Sequence, residues 1–435
     1  MNQEQNDTIG IDQRNWAGNY QYSTNRLHRP ETIEQIRELV VSCPKLKVLG
    51  TRHSFNGIAD STEDMLSLSL LDRVVALDEE RRTVTIEAGV RYGDLARHLH
   101  AAGYALHNLA SLPHISVAGA CATATHGSGE KNGNLATAVR GLEMILANGD
   151  KIVLSREQQG EAFQGAVVGL GGLGVVTQLT LDIVPTFEVR QDVYENLPMA
   201  QLEAHFDAVE ASAYSVSLFT DWQSENFNQV WLKSRVGDGS AEALGSIWFG
   251  ATRASRALHP IPGISPENCT EQMGIPGPWH ERLPHFRMEY TPSNGDELQS
   301  EYFVPREHAV AALRAIARLK DQVAPLLQIS EVRTIAADNL WMSPCYPQDC
   351  VAIHFTWVND WPAVKRLLPV LEAQLEPFQA RPHWGKVFTM APGHLQSLYE
   401  KLPNFQKLMR SYDPEGKFRN AFLDTYLSGA LTGQG

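Results

Sequence analysis

The sequence is short of positive charge: 37 Lys and Arg stand against 50 Asp and Glu, a formal net charge of −13. A surface biased this way repels a phosphate backbone and an anionic membrane, which removes nucleic acid and lipid surfaces from the expected partners. Cysteine is scarce too. The five present, Cys43, Cys121, Cys269, Cys345 and Cys350, are odd in number and irregularly spaced, which fits reduced thiols and argues against a disulfide framework. Cys345 and Cys350 lack a second close Cys or His pair, so no structural metal is expected. Long apolar runs are missing. The best stretch, Ala162 to Val184, is broken by five glycines, Gln164, Gln178 and Asp182, and cannot span a bilayer. Met1 to Gly10 lacks the basic start and apolar core of a secretion signal, so a cytoplasmic chain is expected. No G-x-S-x-G occurs anywhere, which removes the hydrolase reading that His126-Gly127-Ser128-Gly129 invites.

What is present is an ordinary globular composition, 43% hydrophobic and 20% charged over 435 residues, long enough for two domains. Ile33, Ile36 and Val40 share one face of a helix after Pro30. Short strands follow at Lys47 to Leu49, along the Leu66, Leu68, Leu70 alternation, at Val74 to Leu77 and at Thr83 to Ala88, with a helix at Tyr92 to Ala102. Asn148-Gly149 joins a hairpin of Gly141 to Ala147 with Lys151 to Leu154. After Pro185, Gln191 to Ala213 reads as a helix-bearing linker and Leu258 to Trp279 as irregular. Strands at Tyr214 to Trp222, Gln229 to Lys233, Ile329 to Thr334 and Val351 to Trp357, with helices at Arg306 to Leu319 and Pro362 to Leu375, predict an antiparallel sheet covered by helices.

Three stretches carry chemistry. Val48 to Asn56, V-L-G-T-R-H-S-F-N, runs from a strand through a glycine turn and presents His53, with successive N–H groups suited to phosphate. Ser111 to Gly129 is a run of small residues too slight to build a core, but able to lie flat against a large ligand, with Ser116, Thr123, Thr125 and Ser128 as hydroxyl donors. Gly169, Gly171 and Gly174 fit a dinucleotide fingerprint on paper, yet they precede a strand pattern instead of a helix and read as a turn. Further on, Glu331 with Arg333, and His354 with Thr356, are spaced to share strand faces. His383 and Lys386 flank a glycine in R-P-H-W-G-K-V-F.

In their order these segments, G-T-R-H-S-F, S-L-P-H-I-S-V-A-G with T-H-G-S-G, E-V-R and H-W-G-K, resemble the alditol oxidase (xylitol oxidase) family of vanillyl-alcohol oxidase type flavoproteins. The resemblance runs from Asn15-Trp16 to Asp413-Pro414-Glu415-Gly416-Lys417-Phe418. It implies an α+β fold of two domains, an FAD-binding domain over 10–187 completed by 388–435 and an antiparallel-sheet substrate domain over 188–387. It implies FAD joined covalently to His53, cradled by Val48, Leu49, Gly50, Thr51, Arg52 and Ser54, by Ser111, Ser116, Gly119, Cys121, Ala122, Thr123, Ala124 and Thr125, and by Val176, with Thr356 at the flavin. Some relatives add a bond to a cysteine where this chain has Ser111-Leu112-Pro113, so a single link is expected. Arg52 stands where a glycine is familiar.

Ser111, Glu331, Arg333, His383 and Lys386 would then line a polyol site. Oxidising an alcohol removes a hydride from carbon and a proton from oxygen, so Lys386 and Arg333 would stabilise the developing alkoxide. Glu331 would accept hydrogen bonds from substrate hydroxyls and fix Arg333, and Ser111 would orient the terminal hydroxyl. The implied reaction is alditol plus O2 to aldose plus hydrogen peroxide. A sugar-1,4-lactone oxidase or dehydrogenase is the close alternative, and a flavin-free binding protein the alternative from another class. Composition does not determine the oligomeric state.

Overall fold

Thr32 starts the first helix, Ile33–Ser42, with a capping box: its hydroxyl accepts from Gln35 N while the Gln35 side chain returns to the Thr32 backbone. Ile36 and Val40 are its fully buried face. The structure, a computed structural model, describes residues 13–237, 245–289 and 297–428. Met1 to Gly10, and the outer ends of the 10–187 and 388–435 segments, lie outside the described residues.

The first part of the chain builds a small parallel sheet, Leu27–His28, Asp64–Leu66 and Leu46–Val48, and an antiparallel sheet of five strands. The order of the latter is Val74–Asp78, Thr83–Glu87, Val175–Asp182, Val139–Ile145, Lys151–Ser155. Gly149, at φ 84°, closes the expected hairpin, with Ile145 opposite Lys151. Val175, Thr177, Leu179 and Leu181 alternate inward along the central strand, as a half-covered antiparallel strand requires. The Leu66 to Leu70 alternation is only partly a strand. Pairing ends at Leu66, and Leu70 turns out to solvent.

The second sheet has ten strands among the described residues. Its centre runs Glu188–Pro198, Asn226–Arg235, Ser215–Thr220, Leu327–Ile335, Cys350–Val358, Glu297–Pro305, all antiparallel. Two of these strands were not expected. Glu188–Pro198 was read as the start of a helical linker, whereas the helix begins only at Met199. Much of that strand is covered on both faces, so the period-2 signal that would have marked it is blurred. Glu297–Pro305 was not read at all.

One face of this sheet carries Val216, Val332, Ile353 and Val304, all fully buried, and is packed by the helices Ala309–Ala317 and Trp361–Leu375 through residues such as Leu313, Leu368 and Leu371. The opposite face is polar. The chain then returns to the first part: Asn420 Nδ2 donates to the carbonyls of Gly57, Ile58 and Asp60, and Lys47 Nζ donates to those of Gly171 and Phe418. No helix among the described residues is long and apolar enough to cross a membrane.

Candidate active site

A cavity of about 510 Å³ runs between the two sheets. One wall is the Val48–Ser54 turn. The second is the small-residue run, and the third is the Gly169–Gly174 turn, where Leu170 and Gly171 both have positive φ. The run expected to be too slight for a core folds into the helix Val117–Ala122 and buries Val117, Ala120 and Cys121. Its small side chains let it approach the turn: a Cβ on Gly50 or Gly119 would come within 2.9 or 2.8 Å of Ser116 Oγ. Arg52 has φ 65°, a left-handed conformation that glycine adopts most easily, which accounts for glycine being familiar there. Its guanidinium donates to Arg14 O.

Val48, Leu49, Gly50, Thr51, Arg52, His53, Ser54, Ser111, Ser116, Gly119, Cys121, Ala122, Thr123, Thr125, Val176 and Thr356 all face this cavity. Ala124 does not. It is 1% exposed at φ 53° and sits in the core behind the run, because the left-handed turn after the helix points its methyl away. His53 packs against Trp16 with the ring centres 5.1 Å apart and the planes tilted by 46°, its Nδ1 is buried without a hydrogen-bond partner, and burial holds its pKa down to about 4. The ring is therefore a neutral imidazole with an uncommitted nitrogen, the form a covalent attachment needs. An unpartnered ring nitrogen beside a tight, glycine-lined cradle fits a large flat cofactor.

The polar face of the ten-stranded sheet forms the other end of the cavity. Register lines up Phe219, Glu331, His354 and Glu301 in one row across four strands. Glu301, 1% exposed, is the hub of this row. It receives Arg333 Nη2 at 2.7 Å on Oε1 and Lys386 Nζ at 2.9 Å on Oε2, with His126 Nε2 at 3.2 Å. Glu331 lies further from Arg333, 3.6 Å from Nε, and takes His285 Nε2 at 2.7 Å instead. Two carboxylates therefore hold Arg333: Glu301 by the short contact, which was not expected, and Glu331, as expected, at the longer distance. Arg333 also reaches Ser111 Oγ at 3.4 Å, and Gly385 N donates to His383 Nδ1.

Burial would neutralise carboxylates such as these, but their partners win: Lys386 and Arg333, with the His126 ring beside them, hold Glu301 well below the usual range, and Arg333, with the His285 ring as hydrogen-bond partner, does the same for Glu331. Burial pulls Lys386 below the ordinary lysine value while Glu301 pulls it back. His354 and His383 are forced toward the neutral form by burial and by Lys386. Glu331 and Arg333, a pairing on one strand face that is usually solvated, are each 5% exposed and so buried.

Sequence reasoning missed Glu301, His126 and His285. The signal for Glu301 was E-L-Q-S-E: Glu297, Gln299 and Glu301 share one strand face, and all three line the cavity. His285 lay in a stretch without periodicity.

Residues 25–155 match the FAD binding domain family, and residues 294–426 match the D-arabinono-1,4-lactone oxidase family. Together with the fold, these matches define an FAD-binding oxidoreductase. The chain is 50% identical over 418 residues to the alditol oxidase of a Streptomyces species, covering 95% of this chain and 99% of that one. It belongs to the alditol oxidase family of vanillyl-alcohol oxidase type flavoproteins. L-Gulonolactone oxidase of Bos taurus is more distant, 26% identical over 449 residues, with 95% and 98% covered. Cholesterol oxidase from B. sterolicum superimposes with a TM-score of 0.74 at 14% identity over 95% of this chain and 96% of that one, which shows the shared fold.

Proposed function

We propose that the protein oxidises the terminal hydroxyl of straight-chain alditols such as xylitol and sorbitol to the aldose, with O2 reduced to hydrogen peroxide, on FAD bonded through His53. The observation that carries this reading is the pair of cations, buried Arg333 and half-buried Lys386, held by Glu301 at the cavity. The 50% identity to an alditol oxidase supports it, against 26% to the lactone enzyme. FAD held by the Val48–Ser54 turn and the small-residue run would supply the hydride acceptor and the route for electrons to oxygen. The segments 10–187 and 388–435 form the cofactor unit, and 188–387 the substrate unit. Five buried, free thiols agree with a cytoplasmic setting.

The polyol is uncharged and rich in hydroxyls, so every buried polar group it meets must be matched or binding is lost. Glu331 accepts from substrate O–H, Ser111 orients the terminal hydroxyl, and His383 closes the same pocket. Lys386 and Arg333 lie where a hydroxyl oxygen gains negative charge as its proton leaves, and a preorganised cation in a dry site stabilises that charge more than the neutral alcohol. His354, held neutral, has Nε2 3.1 Å from Gln299 Oε1 and fixes that amide at the cavity wall.

Peroxide release in air, with xylitol, sorbitol, a sugar lactone and a simple primary alcohol offered in parallel, tests the reading. Polyols are expected to give the fastest release. A lactone that outpaces them would transfer the assignment to the lactone enzymes, and flavin bleached without peroxide would make the protein a dehydrogenase. Acid precipitation tests the link: native protein gives a yellow pellet, and His53→Ala a colourless one with flavin left in the supernatant. A colourless native pellet would refute covalent attachment.

A further inference from the structure

Behind Glu331, away from the cavity, lies a buried lysine that the mechanism above leaves unused. Lys233, on the strand Asn226–Arg235, is 1% exposed and is not part of the cavity wall. Its Nζ donates to Leu283 O at 2.6 Å and Pro284 O at 2.9 Å, and it lies 3.1 Å from His285 Nδ1. Three acceptors match the three N–H bonds of an ammonium group. Glu331 Oε1, 2.7 Å from Nε2 of His285, can only accept, so Nε2 carries a ring proton, and a charged Lys233 makes Nδ1 the acceptor of the third ammonium N–H. The ring itself is clamped edge-on by Phe219 and Trp231, 5.6 and 5.2 Å away. Glu331 Oε2 takes no hydrogen bond among the described residues, which leaves it for a substrate hydroxyl.

We propose that Lys233 is a positioning residue: it holds the proton that would otherwise sit on His285, keeps that ring a neutral Nε2–H donor, and so presents Glu331 to the substrate as a full carboxylate acceptor. This rests on the polyol reading of the site. A single positive charge belongs to the Lys233–His285 pair. Placed on Lys233 it is remote from Glu331. Placed on His285 it would form a direct ion pair that competes with both the substrate hydroxyl and Arg333 for the carboxylate. The other charged and titratable groups facing the pair are Glu331 and Arg333 from the strand Leu327–Ile335, and Cys269 just after the turn Pro266–Asn268. Across the sheet from Lys233 stand the uncharged Gln191 and Ser215. Burial lowers Lys233 to about 7 while Glu331 raises it, and burial followed by Lys233 lowers His285 to about 4. The proton therefore resides on the lysine.

Removing the lysine charge moves the proton to the ring. In Lys233→Met the KM for xylitol is expected to exceed the native value about tenfold near about pH 6 and to converge on it above about pH 8.5, with kcat changed less than about twofold. The same substitution made on His285→Gln, whose amide cannot take a proton, is expected to leave KM unchanged at every pH. A KM ratio that is flat with pH, or that survives in the His285→Gln background, would show that Lys233 merely ties down two carbonyls and would overturn the proposal. Histidine-ring NMR gives a readout independent of turnover. The resonance missing from His285→Gln is expected to titrate above about 6.5 in Lys233→Met, and an unmoved titration overturns the proposal. If the native protein ignores polyols, the polyol reading falls while the NMR titration still decides where the proton sits. Lys233→Gln, neutral but still a donor to the carbonyls, serves in place of Lys233→Met if the latter does not accumulate folded.

Discussion

Replacing Lys386 with methionine is expected to slow polyol oxidation about a thousandfold while the protein keeps its flavin. The Lys386 side chain is 15% exposed and its ammonium group is held by Glu301 Oε2, so its position is set before substrate arrives. A neutral alcohol gains little from it. An oxygen losing its proton gains a great deal, because a cavity lined by buried side chains screens poorly. The loss should therefore fall on kcat, with KM moved far less. Anaerobic mixing with xylitol, following the rate at which the flavin loses its colour, isolates the step from oxygen chemistry. A loss of less than tenfold would remove Lys386 from the role assigned to it.

Glu301→Gln is expected to be the most destabilising single change in the site, by about 3–5 kcal/mol. The substitution keeps the shape but leaves Arg333 and Lys386 as cations without their shared carboxylate. Glu331→Gln should cost less, since Glu331 lies 3.6 Å from Arg333 and its close partner is the neutral His285. Urea unfolding of the two variants beside the native protein measures the difference, and equal losses would contradict the assignment of Glu301 as hub. A pH dependence accompanies it. Because Glu301 is held well below its ordinary value in the folded state, its contribution is complete at neutral pH. It is lost as pH falls below the unfolded carboxylate value, near about 4.3, toward the folded one. The native protein should lose stability on that acid limb, and Glu301→Gln should lack this component.

The parts of the site legible in the sequence were those whose backbone is unusual. A glycine turn before His53 and a long run of small residues are costly to keep without a ligand, so they stand out. Lys386 was visible because a turn glycine precedes it. Glu331 and Arg333 were visible as a pair, but their burial was not: a strand face of charges reads the same whether it meets water or a closed cavity. Glu301 was hidden by this ambiguity, since Glu297, Gln299 and Glu301 look like a solvent face until the cofactor walls are set against them. Glu188–Pro198 was missed for the opposite reason. Where both faces of a strand are covered, alternation disappears, and the helix that follows captures the reading.

The amine of Lys47 ties its strand to the Gly169–Gly174 turn through Gly171 and to the late segment through Phe418, while Asn420 braces the carbonyls just after the His53 turn. These contacts span 371 and about 360 positions of sequence, among the longest loops the fold closes. During synthesis the flavin cradle is made early, yet it lacks its final braces until residue 420 has left the ribosome. A chain stopped before Phe418 would therefore carry every residue that lines the cavity and lack the contacts that brace its cradle.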